Sequence, residues 1–313
     1  MSERDAQSGR RRTLIVVESP LQLLCAYEWI LETRAPYVLI VRLIGAAGSD
    51  AQLKAMAREL DVVVSRWIFL PPRVNLRYAL AVISFLPALF RPYERLVIGN
   101  YFSGFLRIVA KLTRCRNVIL LDDGVATLLA GRELAAEKSP RFSVFTIFTL
   151  EPGHYRSYVR NSFRHLMRST GAESAEPNGV YFVGQKLVDI GALPLERYLD
   201  VVRLCVRDNP GAAVHYIPHR GESEEVIAAI GQEPGVELLK IDWNIEYYMV
   251  RNRITPARIY SVNSTALYSL ATMFPSCNAT AFDPAGLRTE MFAHYQLIHD
   301  AFCTLPNLVI RRA

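Results

Sequence analysis

The chain has 313 residues, of which 51% are hydrophobic, and a formal net charge of +6. That composition belongs to a folded chain long enough for two domains of ordinary size, and it excludes a disordered or fibrous protein. The charge is modest, and with no basic stripe interleaved with aromatics and no zinc or helix-turn-helix signature, nucleic acid is not an expected partner.

In chain order, the polar start MSERDAQSGRRR (1–12) reads as a disordered basic tail. The apolar run behind it is interrupted at Glu18 and Pro20, unlike a signal peptide. Five cysteines, Cys25, Cys115, Cys205, Cys277 and Cys303, form no CxxC pair and mostly sit in apolar segments, as reduced thiols of a cytoplasmic protein do. The runs TLIVV (13–17), YVLIVRL (37–43), DVVV (61–64), RLVIG (95–99) and NVILL (117–121) alternate with helix-length segments, the pattern of a parallel sheet covered on both faces. Leu76–Phe90 is the most hydrophobic segment, but it is shorter than the roughly 20 residues that span a bilayer and carries Arg77 and Pro87. With Arg73, Arg77 and Arg91 beside it, it reads as a helix that is buried, joins a homodimer, or lies peripherally on an anionic membrane at its inner face; a solvated basic face is the plainer account. A polar interval, RSTGAESAEPNG (168–179), precedes a second series: VYFVG (180–184), AVHYI (213–217), VELLK (236–240), ARIYSV (257–262) and ATAF (279–282). Two α/β domains joined near residue 175 are therefore expected.

Ligands of open α/β sheets bind beyond the carboxyl ends of the strands, so the loops after these runs are the places to look for chemistry. Asp122-Asp123-Gly124 follows NVILL. Capping of the next helix explains one aspartate, but two in succession leave one to spare, and such a pair could equally divide into a positioned base and a group that orients it. Pro218-His219-Arg220 follows AVHYI, where an imidazole and a guanidinium suit phosphate oxygens. Asn263-Ser264-Thr265 brings hydroxyls and backbone N–H groups to a helix start, a ready anion site that capping explains equally well. Glu246 opens another helix; it could accept the hydroxyls of a ribose or simply favour the helix dipole. Gln22 and Asn100 could hold an acceptor, although capping and turn formation explain them with similar ease.

In order and placement these residues resemble the bacterial sialyltransferases of glycosyltransferase family 52 and the related polysialyltransferases. The match lies in LLDDGVATL with Asp122, Asp123 and Gly124, in YIPHR with His219, and in YSVNSTAL with Ser264 and Thr265. It extends to ESPLQLL, GNYFS, VGQKLVD with Gly184 and Asp189, and NIEYY with Glu246; Arg220 stands where the family has proline. The resemblance implies a GT-B architecture of two Rossmann-like domains facing across a cleft. Residues 13–170 would form the acceptor-side domain with the acidic motif, and 178–313 the nucleotide-sugar donor side. It further implies inverting transfer of sialic acid, or a related nonulosonic acid, from its CMP-activated donor to a hydroxyl of a cell-surface glycan such as lipooligosaccharide or capsule. No metal and no cofactor beyond the CMP-sugar substrate are expected. On this reading Asp123 is the base, Asp189 its rival, and His219, Arg220, Gly184, Ser264, Thr265 and Glu246 hold the donor, while Gln22 and Asn100 hold the acceptor. A GT-B enzyme using another nucleotide sugar and a silent scaffold of polysaccharide assembly are the alternatives.

Overall fold

Continuous apolar runs need cover on both faces, and the chain supplies it by following each strand with a helix. The computed structural model describes residues 12–70, 91–136, 142–150, 155–172, 176–291 and 294–313. The chain divides into two units, Met1–His165 and Leu166–Ala313.

In the first unit β1 (Thr13–Val17) is buried along its whole length. It leads into α1 (Pro20–Thr33), which starts where the Ser19 side chain accepts from Gln22 N and Pro20 fills the first turn. Then come β2 (Tyr37–Leu43), α2 (Ala47–Glu59), β3 (Arg66–Phe69), β4 (Arg95–Ile98), α3 (Gly104–Leu112), β5 (Asn117–Leu120), α4 (Val125–Ala136), β6 (Phe142–Thr146) and β7 (Tyr158–Arg160). The short helix α5 (Arg164–Thr170) crosses the boundary. The second unit continues with β8 (Asn178–Val183), α6 (Leu195–Arg207), β9 (Val214–Ile217), α7 (Glu224–Gly231), β10 (Val236–Leu238), α8 (Ile245–Arg251), β11 (Pro256–Ser261), α9 (Thr265–Met273), β12 (Asn278–Asp283), α10 (Tyr295–Phe302) and β13 (Leu308–Arg312).

Both sheets are parallel throughout. Their orders are β3-β2-β1-β4-β5-β6-β7 and β10-β9-β8-β11-β12-β13. In each, the chain winds outward one way and then the other, so the order reverses once, between β1 and β4 and again between β8 and β11. Each unit closes its own core, around Leu14, Ile40, Leu96 and Leu120 in the first and Phe182, Tyr198, Val202 and Tyr260 in the second. Each such fully buried aliphatic side chain contributes about 1.5–3 kcal/mol.

The expected strand at 61–64 is a correction. Asp61 takes a left-handed φ of 49° and Val62 N bonds back to Ala57 O, so these residues close α2 and pairing begins only at Ser65, whose N–H meets Leu39 O. The polar interval at 168–179 lies at the start of the second unit. Residues 1–11 of the expected tail and the whole of the apolar segment Leu76–Phe90 lie outside the described residues. Among those described, no helix is long and apolar enough to cross a membrane, and none of the five cysteines is in a disulfide.

Candidate active site

The switch points decide where ligands can enter, because there the two loops leaving adjacent strands diverge. In the first unit they are the loops after β1 and β4. The β1 loop places Ser19 and Gln22, the β4 loop places Asn100, and all three converge on one carboxylate from the β5 loop. Asp123 Oδ1 accepts from Ser19 Oγ at 3.2 Å and Oδ2 from Asn100 Nδ2 at 2.5 Å. The Gln22 amide also donates to Asp123, while its oxygen accepts from Glu18 N. Asn100 is fixed in turn, its Oδ1 accepting from Phe102 N and Ser103 N. Burial pushes the Asp123 carboxyl up to about 6 against the pull of these donors, and the nearby Glu18 charge adds to the rise. The residue itself stays partly open to solvent.

Asp122 behaves oppositely, and its expected role is corrected. It is 0% exposed. It accepts from Thr146 Oγ1 and, at 2.8 Å, from Ile147 N, so it ties the end of β5 to the end of β6. Consecutive side chains at a strand end point to opposite faces, and the turn at Gly124, with φ of 57°, follows directly. The orientation of Asp123 therefore comes from Ser19, Gln22 and Asn100, and Asp122 cannot touch a substrate. Burial raises its carboxyl to about 7.

Two residues beside Asp123 escaped sequence reasoning in this role. Glu18 Oε2 accepts from Arg42 Nη1 at 2.7 Å and from Ser103 Oγ at 3.2 Å. Arg42 also donates from Nε to Leu70 O and lies over the Phe105 ring. The signal was available: a lone arginine in YVLIVRL is a buried cation that requires a carboxylate.

In the second unit the loops after β8 and β11 flank the reversal, and Gln185 bridges them. Its Oε1 accepts from Asn263 N at 2.7 Å and from Ser261 Oγ at 3.4 Å. Ser264 caps α9 by accepting from Ala266 N, with Thr265 as the first helical residue. Asn263 is 5% exposed, and its buried Nδ2 has no hydrogen-bond partner. An orphaned donor of this kind is costly and marks a place where an acceptor is missing.

His219 N donates to Glu222 Oε2, and His219 Nδ1 accepts from Gly221 N at 3.0 Å. That bond places the neutral ring's proton on Nε2. His219 keeps an exposed side, but partial desolvation of the ring, with Arg220 and Lys186 beside it, holds the imidazole below its usual value. Glu222, just before α7, is buried. It ends a chain in which Gln185 N donates to Tyr198 Oη, the Tyr198 and Tyr216 hydroxyls pair at 3.0 Å, and Tyr216 donates to Glu222. Burial lifts its carboxyl to about 7.

Of the other expected residues, Gly184 packs so closely against Tyr216 Oη and Glu222 that a β-carbon has no room. Asp189 Oδ1 accepts from Ser223 N at 3.2 Å, beside the start of α7. Arg220 is exposed. Glu246 is 5% exposed; it accepts from Ser269 Oγ and Asn244 Nδ2 and so braces α8 against α9. Each unit thus gathers its own set, Gln22, Asn100 and Asp123 in the first and Gly184, Asp189 and His219 in the second, with Ser264 and Thr265 across the β8/β11 reversal.

No protein-family model and no curated protein matches the chain in sequence. Solved structures do match in shape. A UDP-GlcNAc 2-epimerase from Methanocaldococcus jannaschii superposes with a TM-score of 0.57 at 10% identity, over 96% of this chain and 88% of that one. Staphylococcus aureus MnaA with UDP gives 0.56 at 11%, over 93% and 87%. An α/β-galactoside α-2,3-sialyltransferase from Photobacterium phosphoreum gives 0.54 at 10%, over 96% and 99%. The likeness is one of fold. The chain is α/β with the GT-B architecture, two Rossmann-like parallel-sheet domains, as the sequence led us to expect.

Proposed function

We propose that the protein is a glycosyltransferase that moves sialic acid, or a related nonulosonic acid, from a CMP-activated donor to a hydroxyl of a cell-surface glycan, with inversion and without a metal. The observation that carries this reading is Asp123: a partly open carboxylate at a strand's carboxyl end, held by three donors and raised to about 6, which suits a base working near neutral pH. Asp123 takes the acceptor's hydroxyl proton as the new C–O bond forms and the bond from the sugar to the CMP phosphate breaks. The electron pair of that bond leaves with the phosphate. Growing charge there suits His219 Nε2–H, the Arg220 guanidinium, and the hydroxyls of Ser264 and Thr265 at the start of α9. Glu222 sets the His219 backbone, and Asp189, bound to Ser223 N, is the weaker candidate for the base.

The test is thermal denaturation of the purified chain with CMP, UDP, GDP or AMP. A ligand at about 100 times its Kd adds roughly 2.7 kcal/mol. Stabilisation by CMP alone supports the reading. A response to UDP or GDP instead moves the protein to another nucleotide sugar, including the chemistry of UDP-sugar epimerisation, and silence toward all four leaves a scaffold.

A further inference from the structure

At the amino ends of β4 and β5, the edge of the first sheet opposite Asp123, arginines crowd around a depression. Glu94, Arg95, Arg116, Asn117 and Arg156 line a concavity of about 370 Å³. Backbone bonds fasten its walls: Tyr93 N to Arg114 O, Glu94 N to Arg12 O and Arg116 N to Glu94 O. The segments meeting here (12, 91–95, 114–117 and 156) hold six arginines and one acid, Glu94.

Glu94 pairs with Arg95 at 3.2 Å, in the open. Arg156 Nη1 donates to Arg116 O at 2.9 Å, which fixes that guanidinium at the rim without spending its charge. Arg116 and Arg114 have no carboxylate partner among the described residues. Strands of four residues separate this edge from Asp123 by about 13 Å of sheet, so the cluster serves no step of the transfer.

We infer that this depression, lined by Arg95, Arg116 and Arg156, binds the phosphate headgroups of an anionic lipid surface. Guanidinium forks match phosphate oxygens in pairs, and one end of the sheet presents them together. A lipid surface is favoured over a free phosphate because, in sequence, the patch directly continues the apolar run Leu76–Phe90 at Arg91. The inference stands apart from the sugar-transfer reading.

Co-sedimentation of the full chain with vesicles tests it. Binding is expected to phosphatidylcholine vesicles containing phosphatidylglycerol and not to phosphatidylcholine alone. Each basic residue near an anionic surface is worth about fivefold in partitioning, so Arg95→Gln/Arg116→Gln/Arg156→Gln should bind about 100-fold more weakly with an unchanged CMP response. Should that variant fail to fold, the exposed single change Arg116→Glu should lower binding by at least tenfold, while Arg116→Lys keeps most of it. Three results would overturn the inference: no binding by the wild type, loss that follows Arg10→Gln/Arg11→Gln instead, or complete competition by millimolar inorganic phosphate at constant ionic strength, which would make this a free-phosphate site.

Discussion

Asp122→Asn separates the two adjacent acids. In the wild type Asp122 is wholly buried and its carboxyl is raised from 3.8 to about 7. A group whose folded pKa lies above its unfolded one supports the fold fully below the unfolded value, and that support is lost as pH rises through the folded value. For 3.8 and about 7, the loss between pH 5 and pH 8 comes to about 2 to 3 kcal/mol. Asparagine keeps the shape and an acceptor for Ile147 N but cannot ionise, so its stability lacks this slope. At pH 5 the buried acid is protonated and, like the amide, offers one acceptor oxygen to Ile147 N and one donor group to Thr146 Oγ1, so the two proteins should differ by no more than about 1 kcal/mol. By pH 8 the variant should be the more stable of the two by about 2 to 3 kcal/mol. Urea unfolding of both proteins at the two pH values reads the double difference directly, and titration of Asp123 and Glu222 largely cancels from it. Parallel losses in the two proteins would refute the burial argument.

The kcat/KM for sugar transfer should rise about tenfold for each pH unit below about 6 and level off above it, as Asp123 loses its proton; a profile flat from pH 5 to 8 would remove it as the base. Gly99→Ala should cut turnover more than tenfold, because a β-carbon there overlaps the amide of buried Gln22, which binds Asp123; normal rates would show that Gln22 does not position the acid. Glu222→Gln should weaken CMP binding about tenfold, through misplacement of His219, with little change in the Asp123-dependent pH profile; isothermal titration would detect it.

Much of this was legible in the sequence, for identifiable reasons. TLIVV and YVLIVRL became β1 and β2 with the expected bounds because β-branched apolar runs of strand length, broken in the second only by Arg42, favour a buried strand. DVVV failed because Asp61 could turn left-handed and end a helix, a local event that apolar content does not report. The strand FSVFT went unread since Ser143 and Thr146 break its apolar run, yet those hydroxyls are buried on Asn117 and Asp122, partners that only the folded sheet supplies. The acidic pair was found, but the division of labour within it was assigned as cooperation. Alternation at a strand end points one acid inward and the other outward. Arg42 meets Glu18 only because β2 lies beside β1, and Glu222 was missed because its bond to Tyr216, six residues back, depends on how the loop after β9 folds over the strand end.

The central claim is that Asp123 is the base of a transfer from a CMP-activated sugar. It is tested most directly by CMP release from CMP-sialic acid in the presence of a cell-surface glycan acceptor, by wild type and Asp123→Asn side by side, with CMP affinity measured on both. The account predicts that the wild type releases CMP, while the variant binds CMP equally well and turns over at least 100-fold more slowly. Normal turnover by Asp123→Asn would contradict it.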